Sequence, residues 1–405
     1  MKNNTNRKLI FLANCIAALC VGTMPAFSAF AAPMTAYFKA VTLNDAVNIT
    51  FAFTLLNTLS PIFNILGGSI NDIFGPKVIM LIGGLLFGTG YIFCGSTASP
   101  QLFIFFYGVV LGAGHCIVYS CIIPNTVKLF PERPGLASGT ITALYGLSSV
   151  ITPVILRLLL RGMHITDIFR MIGIVFAVLL CIVALINKKQ RNDQKASSVP
   201  DLPGQARNYT WHEMIRQTDF YIMIGMILTG AFAGVMLTSS SSLIAAEMMG
   251  FSETAATLVV SVIAVFNMLA RILGGMLSDK IGPENTLLIT FTVLLAGGLC
   301  LGFCTDSAAA LFYIGISMVG YGYGSTMGIF PGFTSRKFGK KYNSTNFAIM
   351  FVGFSLGSFF GPTLMQFLRN STGRYQPAFF LISALAVIGL VLVFVYKRRN
   401  KIGTV

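Results

Sequence analysis

Charged residues are scarce in this chain of 405 residues. Lys, Arg, Asp and Glu together make up 10% of it and only 13 residues are acidic, whereas 55% are hydrophobic. Soluble domains carry about 25% charged residues, so this composition excludes an ordinary soluble protein. No Walker A pattern is present, which excludes a machine driven by ATP hydrolysis. Because the sequence holds no embedded Ser/His/Asp set, and the eight cysteines lack paired metal-ligand spacing, we expect neither an enzyme nor a cofactor.

The sequence contains many long apolar segments without charged residues. An apolar stretch of about 18 or more residues is typical of a transmembrane helix. The sequence therefore predicts an all-α membrane protein that crosses the lipid bilayer twelve times. The predicted helices cover residues 9–32, 46–70, 78–97, 101–124, 136–159, 167–187, 218–241, 252–277, 285–304, 308–331, 343–367 and 376–396. The first run also resembles a cleaved signal peptide, but its uncharged stretch from Leu9 to Phe38 is too long for one, so we expect a retained helix.

The net charge of +15 is unevenly distributed. With the N-terminus inside the cell, 21 Lys and Arg residues fall on the cytoplasmic side and six on the other, with Arg271 left over. Basic residues concentrate in cytoplasmic loops, so we expect both ends of the chain in the cytoplasm. This asymmetry accounts for the positive charge without a nucleic-acid partner, and it suits the inner membrane of a bacterial cell.

The chain contains two copies of one six-helix unit, offset by about 207 residues. Residues 63–76, F-N-I-L-G-G-S-I-N-D-I-F-G-P, align with residues 270–283, A-R-I-L-G-G-M-L-S-D-K-I-G-P. Parallel six-helix repeats are the architecture of a transporter made of two helical bundles. The sequence predicts bundles at 1–187 and 217–405, the second with a short basic tail, joined by a charged cytoplasmic linker at 188–216.

Each copy of the repeat carries Gly-x-x-x-Asp-x-x-Gly at the end of its second helix. Glycine allows helices to approach closely, and an aspartate there can face the positive N-terminal end of a neighbouring helix. Suitable helices begin at Asn343-Ser344-Thr345 and at Pro134-Gly135. The alternative is a pair of solvated turns. We predict a conformational motif made of Gly68, Asp72, Gly75, Lys77, Gly275, Asp279, Lys280 and Gly282.

The doubled motif, the two six-helix halves and the charged central linker resemble the major facilitator superfamily over nearly the whole chain. That resemblance implies the major facilitator fold, transport by alternating access, and a cavity lined by helices one, four, seven and ten. The family's loop between helices two and three reads G-x-x-x-D-[RK]-x-G-[RK]-[RK]. Here Ile73 replaces the first basic residue and Pro76 precedes a single Lys77, which predicts a weaker latch in the first copy.

Narrower features resemble the oxalate/formate antiporter branch and its monocarboxylate-carrying relatives. They are residues 128–139, K-L-F-P-E-R-P-G-L-A-S-G, residues 211–221, W-H-E-M-I-R-Q-T-D-F-Y, and Arg271 placed eight residues before Asp279. In that branch an arginine of helix eight contacts the substrate carboxylate, and a lysine of helix eleven adds a second positive charge. No Lys or Arg lies between Tyr342 and Leu368 here, which argues against oxalate or another dicarboxylate held by two fixed charges.

Arg271 is the strongest candidate for a substrate site. It interrupts the apolar run from Ala255 to Leu277, and the eight residues from Arg271 to Asp279 span about 12 Å of helix. That places the charge well inside a hydrocarbon core of about 30 Å, where ionisable residues mark functional sites by default. Two guanidinium donors also fit the two oxygens of a carboxylate. The alternative is a structural arginine bonded to helix-end carbonyls.

Other polar side chains on the cavity helices are candidates for further substrate contacts. We predict contacts from His115, Tyr119, Tyr145, Tyr321 and Tyr323, whose polar groups can bond the remaining lone pairs of a carboxylate. The alternative is ordinary helix packing for each tyrosine, and a satisfied interior histidine for His115. Weaker candidates are Asn57, Asn267 and Ser239–Ser242. Glu247 is expected too near the outer end of helix seven to pair with Arg271.

The sequence thus predicts a secondary carrier of small monocarboxylates, such as formate, lactate or pyruvate, that functions as a monomer. Proton symporters commonly use membrane-embedded carboxylates, and their absence favours anion exchange or facilitated diffusion. His115 is the one obvious titratable candidate for proton coupling near neutral pH. Two alternatives stay open, namely efflux of amphipathic drugs and a nutrient receptor that binds without transport. The fixed positive charge disfavours cationic drugs, and the short linker disfavours the receptor.

Overall fold

The protein is described by a computed structural model over residues 2–43, 46–187, 207–305 and 308–402. Regular structure in these ranges is helical throughout. Most of the predicted linker, residues 188–206, lies outside the described residues. The helices are α1 Lys2–Val21, α2 Phe27–Thr42, α3 Phe51–Phe74, α4 Pro76–Ser96, α5 Pro100–Phe105, α6 Gly112–Leu129, α7 Pro134–Leu159, α8 Ile165–Ile186, α9 Trp211–Met214, α10 Thr218–Thr238, α11 Ser241–Met249, α12 Glu253–Ile281, α13 Pro283–Gly302, α14 Ala309–Phe338, α15 Asn343–Met350, α16 Val352–Thr372 and α17 Gln376–Ile402.

The predicted membrane passages are confirmed as helices. Within the described residues, 11 helical stretches are long and apolar enough to cross a bilayer. The remaining predicted passage is α14, which has 30 residues but whose apolar run is diluted by glycine and tyrosine. Within the described residues, these 11 stretches and α14 lie at the twelve predicted passages, and the fold is that of an all-α, multi-pass membrane protein.

Several predicted helix ends were wrong. The first passage extends to Thr42, not to residue 32, and it is interrupted by a 3₁₀ turn at Met24–Ala26 that contains Pro25. Helix seven ends at Thr238, and residues up to Met249 form the separate helix α11. Apolar windows end at the first polar residues, whereas backbone hydrogen bonding continues past them, and proline lacks the N–H that an uninterrupted helix needs.

By its internal contacts, the chain divides into two compact units. Unit 1 comprises Met1–Leu129, Leu144–Tyr209 and Phe338–Ile349, and unit 2 comprises Phe130–Ala143, Thr210–Lys337 and Met350–Val405. The start of α7 therefore belongs to unit 2, and α15 belongs almost entirely to unit 1. The bundle boundaries drawn from the repeat, at 1–187 and 217–405, stay a prediction.

The same helix pairing recurs in both units. In unit 1, α4 packs on α8, and a Cβ at Gly88 would lie 2.5 Å from the Cβ of Ala177. In unit 2, α13 packs on α17, and a Cβ at Gly298 would lie 2.4 Å from Oγ of Ser383. Small residues let helix backbones approach closely in a membrane, where van der Waals contact drives association. The sequence repeat is thus also a repeat of packing.

Candidate functional site

Asp72 caps the N-terminus of α15 within unit 1. One carboxylate oxygen accepts hydrogen bonds from the amide of Thr345 at 2.8 Å and from its hydroxyl at 2.9 Å, and the other accepts from the amide of Ser344 at 3.3 Å. The Lys128 ammonium lies 3.2 Å from the carboxylate. Because a helix N-terminus carries partial positive charge and unpaired N–H groups, the buried carboxylate is fully compensated.

Asp279 makes the equivalent cap within unit 2. Its two oxygens accept from the amides of Gly135 at 2.9 Å and Leu136 at 2.8 Å, at the start of α7. Arg336 supplies the cation, with Nη2 at 2.6 Å from Oδ1. The sequence predicted both capped helices correctly. The sequence analysis placed Lys128 and Arg336 on the cytoplasmic side, but it did not predict that they pair with the two aspartates.

The motif glycines shape the turns and contacts around these aspartates. Gly75 and Gly282 have φ of 85° and 87°, a conformation that favours glycine. A Cβ at Gly275 would lie 2.0 Å from the carbonyl oxygen of Gly135, and one at Gly68 would lie 2.6 Å from that of Ser344. The motif lysines are exposed. The packing of the motif is thus clear, while its role in conformational change stays a prediction.

Arg271 lies at the centre of a buried polar cluster in unit 2. It is 7% exposed. Its Nε donates to Oδ1 of Asn267 at 2.8 Å, one turn earlier on α12, and its Nη1 donates to the carbonyl oxygen of Thr142 at 2.9 Å. Thr142 belongs to the part of α7 that lies in unit 2. The guanidinium is therefore anchored by neutral groups on two helices.

No carboxylate among the described residues balances this buried charge. Arg271 forms no ion pair with any residue in the described part of the chain. A guanidinium has five N–H donors, and the two hydrogen bonds above use two of them. The three that remain belong to Nη1 and Nη2. A buried and uncompensated charge is costly, so this arrangement suits an anionic ligand.

The packing around Arg271 leaves it little freedom. Its Cζ lies 5.9 Å from the ring centre of Tyr323 on α14. A Cβ at Gly139 would lie 2.3 Å from the carbonyl oxygen of Arg271, and one at Gly328 would lie 2.2 Å from it. Tyr321 and Tyr323 are both half-buried. Of the predicted tyrosines, the structure thus brings Tyr323 to the arginine.

The other predicted contacts form a separate cluster in unit 1. The ring of His115 lies 6.0 Å from that of Tyr119 and 5.8 Å from that of Tyr145, and the two tyrosine rings are 5.0 Å apart. His115 is buried, and its Nδ1 donates to the carbonyl oxygen of Val21 at 3.2 Å. These contacts keep the three side chains together, and the role of His115 stays a prediction.

Comparison with known proteins decides the family. The family model described as "Major Facilitator Superfamily" matches residues 10–362. The chain belongs to the Major Facilitator Superfamily. It is therefore a transporter and not an enzyme, as its sequence predicted.

Individual relatives of this major facilitator differ in the substrate that their names give. The "Oxalate:formate antiporter" of Oxalobacter formigenes is 26% identical over 86% of this chain and 82% of its own length. The "Probable nitrate transporter NarT" of Staphylococcus epidermidis is 23% identical over 82% and 83%. Among solved structures, the transporter FucP in the outward conformation aligns with a TM-score of 0.71 at 13% identity, over 96% of this chain and 99% of that one. This last likeness supports the fold alone.

Glu247 has a partner other than Arg271. Its carboxylate lies 2.9 Å from Nη2 of Arg369 and accepts from the hydroxyl of Tyr375 at 2.8 Å. These three residues line an open cavity of about 270 Å³ at one end of unit 2, between α11 and α16. The acid thus lies on the separate helix α11 and not at the end of helix seven, and it pairs with Arg369.

The sequence did not identify Thr142 as a functional residue. What contacts Arg271 is its backbone carbonyl, which every residue has, so no residue pattern marks it. Asn267 was a weak candidate, although its spacing of four residues from Arg271 places both on one helix face. That spacing could have identified Asn267 as a contact of Arg271.

Proposed function

We propose that this major facilitator is a secondary carrier of small monocarboxylates, with Arg271 binding the carboxylate during alternating access. The observation that supports this proposal is the buried guanidinium without an acidic partner among the described residues. Its three unused N–H donors suit an anion with two oxygens. An anion from solution would compensate the charge while the site is occupied and would leave it available after release.

Two features favour a substrate with one carboxylate. The relationship to an oxalate:formate antiporter favours a carboxylate over an uncharged substrate. The chain has no Lys or Arg between Tyr342 and Leu368. The oxalate/formate antiporter branch, which this chain resembles, has its second fixed positive charge there. Because no acidic residue lies in the middle of an apolar segment, we include exchange of anions, rather than proton symport, in the proposal. We also propose that the protein functions as a monomer in the bacterial inner membrane, with both ends of the chain in the cytoplasm.

Nitrate is the second candidate substrate. It is a planar anion with delocalised charge, so the same guanidinium can donate to two of its oxygens. The relationship to a probable nitrate transporter favours it. Arg271 would have the same role in either case, and only a comparison of substrates separates the two.

Uptake into proteoliposomes tests the proposal. Labelled formate, lactate, pyruvate, oxalate and nitrate would be offered to empty vesicles and to vesicles preloaded with the same anion. Wild type would be compared with Arg271→Ala and with Arg157→Ala, which removes an exposed arginine at the end of α7. We expect saturable formate or pyruvate uptake that requires Arg271, is stimulated by preloading and is unchanged in Arg157→Ala.

Each other outcome points to a defined alternative. Nitrate uptake without carboxylate uptake would support the nitrate carrier. Carboxylate uptake that survives in Arg271→Ala would contradict the role of Arg271. Binding of the anions without flux would favour a receptor, and flux of amphipathic drugs alone would favour drug efflux.

A further inference from the structure

We propose that Asn267 is a positioning residue that closes one edge of the Arg271 guanidinium, so that the site takes an anion with a single planar acid group. This inference rests on the proposed role of Arg271 and names what limits its substrate. It concerns specificity, because Asn267 acts through the arginine and need not touch the substrate.

Asn267 is held firmly against the arginine. Both residues lie on α12, four positions apart, and they are 8% and 7% exposed. The backbone of Asn267 is packed so closely against α14 that a Cβ at Gly324 would lie 2.1 Å from its carbonyl oxygen. Oδ1 of an amide can only accept, so the 2.8 Å bond directs the Nε–H of Arg271 toward Asn267. The orientation of the guanidinium is therefore set before any ligand arrives.

This orientation limits what the guanidinium can bind. Its side edge presents Nε and Nη2, its end presents Nη1 and Nη2, and each can engage two oxygens of one acid group. Asn267 occupies the Nε donor, and the carbonyl of Thr142 occupies one donor of Nη1. All three remaining donors are on the terminal nitrogens. These donors can bind one acid group. A second acid group would need the side edge, where Asn267 already accepts the Nε–H.

The neutrality of Asn267 is as important as its position. An aspartate has nearly the same shape and would accept the same Nε–H, but it would also cancel the charge of Arg271. A substrate anion would then meet a neutral pair instead of a cation. The amide orients the guanidinium and leaves its positive charge for the ligand.

The test compares Asn267→Asp and Asn267→Ala with wild type in proteoliposomes, with labelled formate and oxalate as probes. We expect Asn267→Asp to raise the KM for formate by about ten- to hundredfold, the range that one charge-assisted hydrogen bond covers. We expect Asn267→Ala to free the side edge and raise the ratio of oxalate to formate uptake severalfold. Asn64→Ala is the matched control, since Asn64 is buried on the repeat-equivalent helix α3 and bonds the carbonyl of Ser60 in its own helix.

A merely structural role would lower the amount of folded protein or the maximal rate without changing the uptake ratio. A wild-type KM in Asn267→Asp, or an unchanged ratio in Asn267→Ala, overturns the inference. If Asn267→Asp does not fold, the uptake ratio of Asn267→Ala decides alone. Arg271→Ala separates the two proposals: if it retains uptake, the proposed function fails. If it abolishes uptake while both Asn267 variants behave like wild type, only the role of Asn267 fails.

Discussion

The close approach of α7 to Arg271 leads to a sharp prediction about Gly139. Replacing Gly139 by Ala would place a Cβ 2.3 Å from the carbonyl oxygen of Arg271, whereas ordinary contact begins at 3.4 Å. One of the two helices must therefore retreat by about 1 Å. The carbonyl has little room to move away, because Gly328 on α14 approaches it within a similar distance. The added methyl group should displace the arginine or detach the start of α7.

The expected cost can be stated as a range. Adding a methyl group to a closely packed interior costs about 1–3 kcal/mol. If the strain falls on the position of Arg271, about 1.4 kcal/mol corresponds to a tenfold change in affinity. We therefore expect the KM for the transported anion to rise by about tenfold in Gly139→Ala. Gly328→Ala should have the same effect, because its added methyl group would clash with the same carbonyl oxygen of Arg271 from α14.

Two measurements check this prediction, namely the thermal unfolding temperature in detergent and the concentration dependence of uptake. Gly162→Ala is the control, since no atom lies within 4 Å of the methyl group that it would add, and it should stay within about 0.5 kcal/mol of wild type. A Gly139→Ala protein with wild-type KM and wild-type unfolding temperature would show that the close packing does not hold Arg271 in place.

Three further predictions concern the helix ends. Asp279→Asn should cost about 1–3 kcal/mol, because an amide has one oxygen and leaves one of the two N–H groups at the start of α7 without an acceptor. The pKa of Glu247 is lowered from its ordinary 4.5, chiefly because Tyr375 donates to it; the resulting stability is present above pH 4.5 and lost as pH falls through the lowered pKa. Tyr375→Phe should therefore lower the unfolding temperature near neutral pH and less so in acid. Lys337→Ala should cost about 1–3 kcal/mol, because it leaves the buried carboxylate of Asp219 with less compensation.

Thermal unfolding measured from pH 7 to pH 4 checks all three. Asp167→Asn, which alters an exposed carboxylate paired with Arg170, is the control for all three acidic residues and should cost at most about 1 kcal/mol. The capping argument fails if Asp279→Asn is as stable as this control. A Tyr375→Phe deficit that grows on acidification would reverse the predicted sign for Glu247. A stable Lys337→Ala protein would mean that Arg399, which lies 3.1 Å from Asp219, compensates the acid alone.

Some of the fold and of the candidate site could be predicted from residue types alone. The membrane passages follow from long apolar runs, since a bilayer core admits few charges. The two aspartate caps could be predicted because both partners have local signatures, a helix end with Asp and a helix start with Pro-Gly or Asn-Ser-Thr. Arg271 was conspicuous because charge is expensive in an apolar segment.

Only the tertiary structure decided what surrounds these residues. It placed the Thr142 carbonyl and Gly139 against Arg271, and it brought Tyr323 to that arginine while grouping His115 with other aromatic rings. Backbone carbonyls carry no sequence signature, and the approach of two helices depends on contacts between residues far apart in the chain. The charge in the membrane could thus be predicted from the sequence, but its available donors depend on which neighbours folding brings to it.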